Sequence, residues 1–285
     1  MTATLRRLFP RGLSTPRDVE KWTGLPYLGS IPRAETAASQ SRPSAAVVEY
    51  DDPALAAAFR TMHAAIFERR PAAQIVALSS ALPKDGKTTC SVALARVSAL
   101  SGKRTVLVDC DLRRRSASAE LNSRPSAGLL EVISGQATLD EALYLDGFTR
   151  LSLLPTSNNM YLVRKAVVQD VFSDPRMAEL VSVLERRFDH IFFDTPPLLA
   201  VADTRLLARH VDTFVFVTRW KKTPREAVKT AVDLLKSTRA PLAGLMLTQA
   251  PPGGAAKPHA MDRRVAASDA RPAKGLKDAV LRARR

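Results

Sequence analysis

The chain has 285 residues, 46% of them hydrophobic, which is enough for one large domain, with or without extensions. Its 43 lysines and arginines against 28 acids leave a formal net charge of +15, a balance that calls for an anionic partner: nucleic acid, an acidic lipid surface or an acidic protein segment. The two cysteines, Cys90 and Cys110, have neither C-x-x-C nor zinc-ligand spacing, which excludes a disulfide scaffold and reads as reduced, buried thiols.

No apolar run approaches the roughly 20 residues that span a bilayer, and the N-terminus has no apolar signal-peptide core. A cytoplasmic protein, soluble or peripheral to a membrane, is expected. The charge gathers at the ends. Arg6, Arg7, Arg11 and Arg17 open the chain, and Lys257, Arg263, Arg264, Arg271, Lys274, Lys277, Arg282, Arg284 and Arg285 close it. These ends are either solvated or dock on an anionic membrane surface or a partner. They lack interleaved aromatic residues, so there is no stacking platform and nucleic acid is disfavoured.

In chain order, Thr15–Trp22 reads as a short helix with Pro16 in its first turn. Leu25–Pro32 is extended and apolar, and residues 33–48 read as linker. Leu55, Phe59, Met62, Ile66 and Phe67 recur at helical spacing from Asp52 onward. Ile75–Leu78 is a continuous apolar strand followed by a turn-rich loop and an Ala-rich helix. Further strands are read at Arg104–Asp109, Leu151–Pro155, His190–Asp194, Thr213–Thr218 and Leu242–Thr248. Helices are read near Gly128–Ile133, Leu139–Leu143, Pro175–Phe188 and Pro224–Ser237, while residues 156–172 give no clear pattern. Strands alternating with helices predict an α/β fold, a doubly wound, mostly parallel sheet with right-handed crossovers. The division expected is a basic segment and linker over 1–48, the main domain over 49–250, and a basic, disordered tail over 251–285.

The loop after the first of these core strands runs Ala81-Leu82-Pro83-Lys84-Asp85-Gly86-Lys87-Thr88-Thr89. Gly-Lys-Thr at the mouth of a helix is a phosphate loop. Backbone N–H groups and the helix dipole cradle phosphate, Lys87 reaches the β- and γ-phosphates, and the Thr88 hydroxyl holds Mg²⁺. Ala81 stands where the pattern G-x-x-x-x-G-K-[ST] has its first glycine. Two further motifs end strands. Val106-Leu107-Val108-Asp109-Cys110-Asp111-Leu112-Arg113 supplies two carboxylates, and Ile191-Phe192-Phe193-Asp194-Thr195-Pro196-Pro197 supplies a third. One such Asp alone is more often a helix cap. Together with Gly-Lys-Thr they form a Mg-nucleotide constellation, because ligands of open α/β sheets sit beyond the carboxyl ends of strands and Mg²⁺ needs few protein oxygens.

These three motifs in this order resemble those of the bacterial tyrosine kinases (BY-kinases), the cytoplasmic P-loop domains of capsule and exopolysaccharide export systems. The resemblance covers about residues 15–250 and includes Leu25–Pro32 and Ser173–Met177. It implies a P-loop NTPase fold related to MinD and ParA, with ATP and Mg²⁺ as cofactors. Residues 81 and 84–89 together with Arg113 would contact nucleotide. Lys87, Asp109 and Asp111 would be catalytic, with Asp109 as general base or anchor of a metal-bound water. Thr88, Asp109, Asp111 and Asp194 would surround the metal. A membrane chain-length regulator (polysaccharide co-polymerase) would be the partner at the inner face of the plasma membrane, and a homo-oligomer is a further expectation.

The chain departs from that pattern in four respects. Lys84 stands at a family glycine. The family's ring-forming Glu-x-x-Arg-x-x-Arg is matched by Ala57, Arg60 and His63, so a ring by that route is not expected. The last of the four tyrosines (Tyr27, Tyr50, Tyr144 and Tyr161) precedes the tail, so there is no C-terminal tyrosine cluster. Thr248 stands where relatives place an asparagine that reads adenine. Two alternatives follow: an ATP-sensing scaffold without kinase activity, and a MinD/ParA-type positioning ATPase. The latter's signature lysine, five residues before Lys87, is replaced by Leu82.

Overall fold

The computed structural model describes residues 12–49, 52–123, 126–157, 159, 162–163 and 171–251. The charged ends except Arg17, together with Tyr50, Tyr161 and most of the stretch 156–172 that gave no clear pattern, lie outside them.

Eight strands form one sheet: β1 (Tyr27–Pro32), β2 (Ile75–Ser80), β3 (Thr105–Asp109), β4 (Tyr144–Leu145), β5 (Ser152–Leu154), β6 (His190–Asp194), β7 (Thr213–Arg219) and β8 (Leu242–Ala250). Their order across the sheet is β1-β8-β7-β2-β6-β3-β5-β4, and every pairing is parallel except β4 with β5. The helices are α1 (Pro16–Thr23), α2 (Ala37–Ser41), α3 (Ala46–Glu49), α4 (Pro53–Arg69), α5 (Lys87–Leu100), α6 (Ser116–Glu120), α7 (Leu129–Ser134), α8 (Leu139–Ala142), α9 (Pro175–Arg187), α10 (Asp203–Leu207) and α11 (Arg225–Ser237).

Alternation along each strand builds two cores. Ile75 and Ala77 of β2, Val106 and Val108 of β3, and Phe214 and Phe216 of β7 face one side, against α9 and α11. Val76, Leu78, Leu107, Phe192, Val215 and Val217 face the other, against α4 and α5. Strands covered on both faces need no polar positions, which is why they read as continuous apolar runs.

Local signals place the helix ends. Thr15 caps α1 reciprocally with Asp18, Pro16 opens that helix, and Gly24 closes it in the left-handed region. Asp52 caps α4 through the N–H of Leu55. The stretch 33–48, expected to be linker, differs from that reading. It carries α2 and α3, and Ala45, Ala46 and Val47 are buried. Its short apolar groups are too few for a helical period, yet they pack beside α4 and α5.

The segment Leu25–Pro32 joins the main sheet. β1 lies at the edge, parallel to β8. Gly244 makes this pairing close: its φ is 151°, and a Cβ there would come within 2.5 Å of the Pro26 carbonyl oxygen.

Candidate active site

β2, β3 and β6 lie side by side, with β6 in the middle. Asp109 and Asp194 are register partners at the last positions of β3 and β6. The loop between β2 and α5 opens over the same strand ends. The three motifs, separated by up to 107 residues along the chain, therefore meet in one crevice.

Asp194 is its centre. Its side chain is fully buried and accepts from Lys87 Nζ (2.7 Å), Thr88 Oγ1 (2.7 Å) and Ser91 Oγ (3.0 Å). Lys87 is itself only 6% exposed. A buried carboxylate without such donors would be strongly penalised by desolvation. Lys87 starts α5, so the positive end of a 14-residue helix faces the crevice.

Backbone conformation shapes the loop. Lys84 has φ 70° and Gly86 has φ 92°. The left-handed region thus falls on the position where Lys84 replaces a glycine. Ala81, by contrast, is not among the residues with positive φ, and it is fully buried, so alanine meets no backbone penalty there. Asp85 sits between the two left-handed residues and braces the loop. Its carboxylate accepts from the N–H of Leu82 and the hydroxyl of Thr223, and its carbonyl oxygen accepts from Thr248 Oγ1 at 2.7 Å. Burial pushes the Asp85 carboxyl up from its ordinary value, against the pull of the Thr223 hydrogen bond. Thr89 follows in the first turn of α5, half-buried.

Asp109 is fully buried. One of its oxygens accepts from both the N–H and the hydroxyl of Ser118 in α6, each at 3.2 Å, and the other from the N–H of Asp111. Burial first, and the neighbouring Asp194 second, push its carboxyl up to about 7. Asp111 is also buried, and burial raises its carboxyl against the attraction of Lys87. Arg113 and Arg114 are exposed at the rim, while Arg115 donates to the Ser157 carbonyl oxygen.

Lys87, Thr88, Asp109, Asp111 and Asp194 thus meet at one crevice, with Asp85 bracing its loop. No cluster of three acidic, histidine or cysteine ligands occurs among the described residues. The donor set that fits Mg²⁺ is the Thr88 hydroxyl beside the Asp194 carboxylate, with Asp111 and Asp109 behind, since Mg²⁺ keeps most of its waters.

Sequence reasoning missed several site residues. Ser91 was within reach of it, because it lies three and four residues beyond Thr88 and Lys87 on one helix face. Asp203, buried at the start of α10, faces Arg113 and Asp111; burial raises its carboxyl and Arg113 opposes the rise. An Asp in a first helical turn carries no signal beyond the helix dipole. Ser118 reaches Asp109 across the turn after β3, and Thr223 and Thr248 reach Asp85 from distant segments, with no local pattern.

The helix α4 presents Ala57 and Arg60 to solvent but turns His63 inward. The His63 and His190 rings flank Phe67, which stacks on His190 at 4.0 Å. Leu82 packs against the core.

A family profile described as an AAA domain matches residues 73–238. The succinoglycan biosynthesis transport protein ExoP of Rhizobium meliloti (strain 1021) is 29% identical over 217 residues, covering 74% of this chain and 27% of that protein. The chain therefore spans only about a quarter of that relative's length. The tyrosine-protein kinase YwqD of Bacillus subtilis (strain 168) is 30% identical over 175 residues, covering 60% of this chain and 70% of that protein. Among solved structures, the chimerical protein CapA2B2 superposes with a TM-score of 0.74 at 26% identity, covering 83% of this chain and 100% of that one.

Proposed function

Because the chain belongs to the AAA-domain family and, within it, to the bacterial tyrosine kinases, we propose that it binds ATP with Mg²⁺ and transfers the γ-phosphoryl group to tyrosines of a partner protein. One observation carries this reading: Lys87 and Thr88 of one motif each lie 2.7 Å from the carboxylate of Asp194 in another, at the end of the central strands. Lys87 and the α5 N-terminus hold phosphate charge, and the loop residues 81 and 84–89 with Arg113 surround the nucleotide. Thr88 and Asp194 would hold Mg²⁺, with Asp109 and Asp111 completing its water shell. Bound there, the metal neutralises charge developing on the transferred group. Asp109 is assigned to receive the proton of the attacking hydroxyl or to anchor a metal-bound water, a role suited to a carboxyl pushed up to about 7, and Asp111, its carboxyl also raised by burial, stands beside it.

Among the described residues no tyrosine is exposed, which supports an acceptor on another molecule. Tyr27 is buried with its hydroxyl on Ser30, and Tyr144 is half-buried in β4. Likeness to an exopolysaccharide transport protein supports a role in exopolysaccharide or capsule synthesis and export. A membrane chain-length regulator is the proposed partner. No helix among the described residues is long and apolar enough to cross a membrane. We place the protein at the inner face of the plasma membrane, its basic ends against anionic lipid, and homo-oligomerisation remains part of the proposal.

The lack of an exposed tyrosine among the described residues also favours a second reading, an ATP-sensing scaffold that activates the regulator without phosphorylating it. Radiolabelled ATP with Mg²⁺, with and without the candidate membrane partner and with Lys87→Ala as control, separates the two. Phosphotyrosine on the partner supports the kinase, and nucleotide binding without transfer supports the scaffold. Failure to bind nucleotide sinks both.

A further inference from the structure

We propose that Ser91 is a positioning residue for Asp194, one that sets how readily the crevice takes up Mg²⁺. The inference rests on the nucleotide-binding reading above and assigns a role to a residue outside the phosphate-loop pattern. Ser91 Oγ lies 3.0 Å from Asp194 Oδ1 and 3.1 Å from the carbonyl oxygen of Lys87, and Ser91 is fully buried. A serine inside a helix ordinarily returns its proton to the carbonyl four residues back. Here an ionised carboxylate competes for the same proton, and charge-assisted bonds are the stronger kind.

The three donors to Asp194 differ in what else they are needed for. Lys87 and Thr88 hold Oδ1 and Oδ2, but both have duties to nucleotide, the amine to phosphate and the hydroxyl to the metal. Ser91 sits one helical turn deeper and has no access to the crevice mouth. It is the donor that keeps its hold on Oδ1 while the other two are recruited. With Oδ1 fixed, Oδ2 stays turned toward Thr88, the side on which a metal would be shared. An alanine at this position would leave the carboxylate free to rotate, and that disorder would have to be removed each time the metal is taken up.

The test uses the full chain and a fluorescent ADP, titrated first in EDTA and then with increasing Mg²⁺. In Ser91→Ala, ADP affinity in EDTA is expected to stay within about two-fold of the parent, since Ser91 touches no phosphate. The Mg²⁺ concentration giving half of the affinity gain is expected to rise roughly ten-fold, the worth of one hydrogen bond to a charged group. Ser91→Cys, similar in size but a weak donor, should fall between the two. An unchanged Mg²⁺ midpoint in both variants overturns the proposal and leaves the nucleotide reading intact. Absence of ADP binding by the parent chain overturns both.

Discussion

Thr248 Oγ1 donates a 2.7 Å hydrogen bond to the backbone carbonyl of Asp85, tying the last strand to the phosphate loop. The same hydroxyl is 3.2 Å from where a Gly86 Cβ would stand, so the loop rests directly on β8. Thr248→Val keeps the shape and removes the bond. ADP affinity should fall about five-fold, the equivalent of about 1 kcal/mol. An equilibrium titration showing no change would mean that the contact does not set the loop. Thr223→Val, which removes the other hydroxyl on Asp85, should act in the same direction.

Lys84 occupies the left-handed region, where a Cβ is costly and glycine is free. Lys84→Gly should raise stability by about 1 kcal/mol in chemical denaturation. Lys84→Ala, which keeps the Cβ, should not. Loss of the charge is a separate effect. Lys84→Asn tolerates the same φ and should weaken ADP binding modestly if the amine attracts phosphate.

Lys87→Met removes the amine proposed to hold phosphate, and it carries a second effect. It leaves Asp194 buried with two hydroxyl donors and no counter-charge. Breaking a buried pair from one side is destabilising, here by about 3 kcal/mol. The unfolding midpoint should drop measurably without any ligand, and Asp194→Asn should lower it as well, because it leaves the buried Lys87 ammonium without its counter-charge. A melting curve matching the parent would show that the pair contributes little to the fold.

His63 gives the fold an acid-sensitive point. Burial chiefly, and His190 secondarily, push its ring down to about 4. His190, held by Ser98 Oγ, is also lowered by burial and by nearby Lys103, while Asp189 opposes this. In the unfolded chain His63 binds a proton near pH 6.5, so between pH 6.5 and 4 the unfolded state holds more protons. Stability is therefore complete above about pH 6.5 and declines as pH falls toward 4, by up to about 3 kcal/mol from this residue. His63→Phe should flatten that slope in denaturation curves recorded across the range.

Much of the architecture was legible because buried parallel strands announce themselves. Ile75–Leu78, Val106–Asp109 and Ile191–Asp194 are apolar runs ending in a turn or an acid, and all three became adjacent strands. Strand-end chemistry then placed Lys87, Asp109, Asp111 and Asp194 together, since the carboxyl edge of such a sheet is one surface. What escaped depends on contacts between distant segments. Tyr144–Leu145 is too short to show a period, yet it adds the antiparallel edge strand beside β5. The linker reading of 33–48 failed because its few apolar residues are buried by neighbours rather than by their own pattern. The grip of Ser118 on Asp109 crosses nine residues of turn and helix, and that of Thr248 on Asp85 crosses 163 residues. His63 occupies an apolar-facing position of α4 that a polar residue disguises.

The edge pairing of β1 with β8 joins segments more than 200 residues apart, Tyr27 beside Leu245 and Pro32 beside Ala250. Synthesis proceeds from the N-terminus at roughly 5–20 residues per second. β1 therefore leaves the ribosome about 10 to 40 seconds before its partner exists. During that interval the apolar face of Leu28 and Ile31 has no strand to lie against, and only the emergence of β8 can close the edge. The phosphate loop, braced by Thr248 of the same late strand, acquires its final brace at the same moment, so the nucleotide site is complete only once β8 is in place.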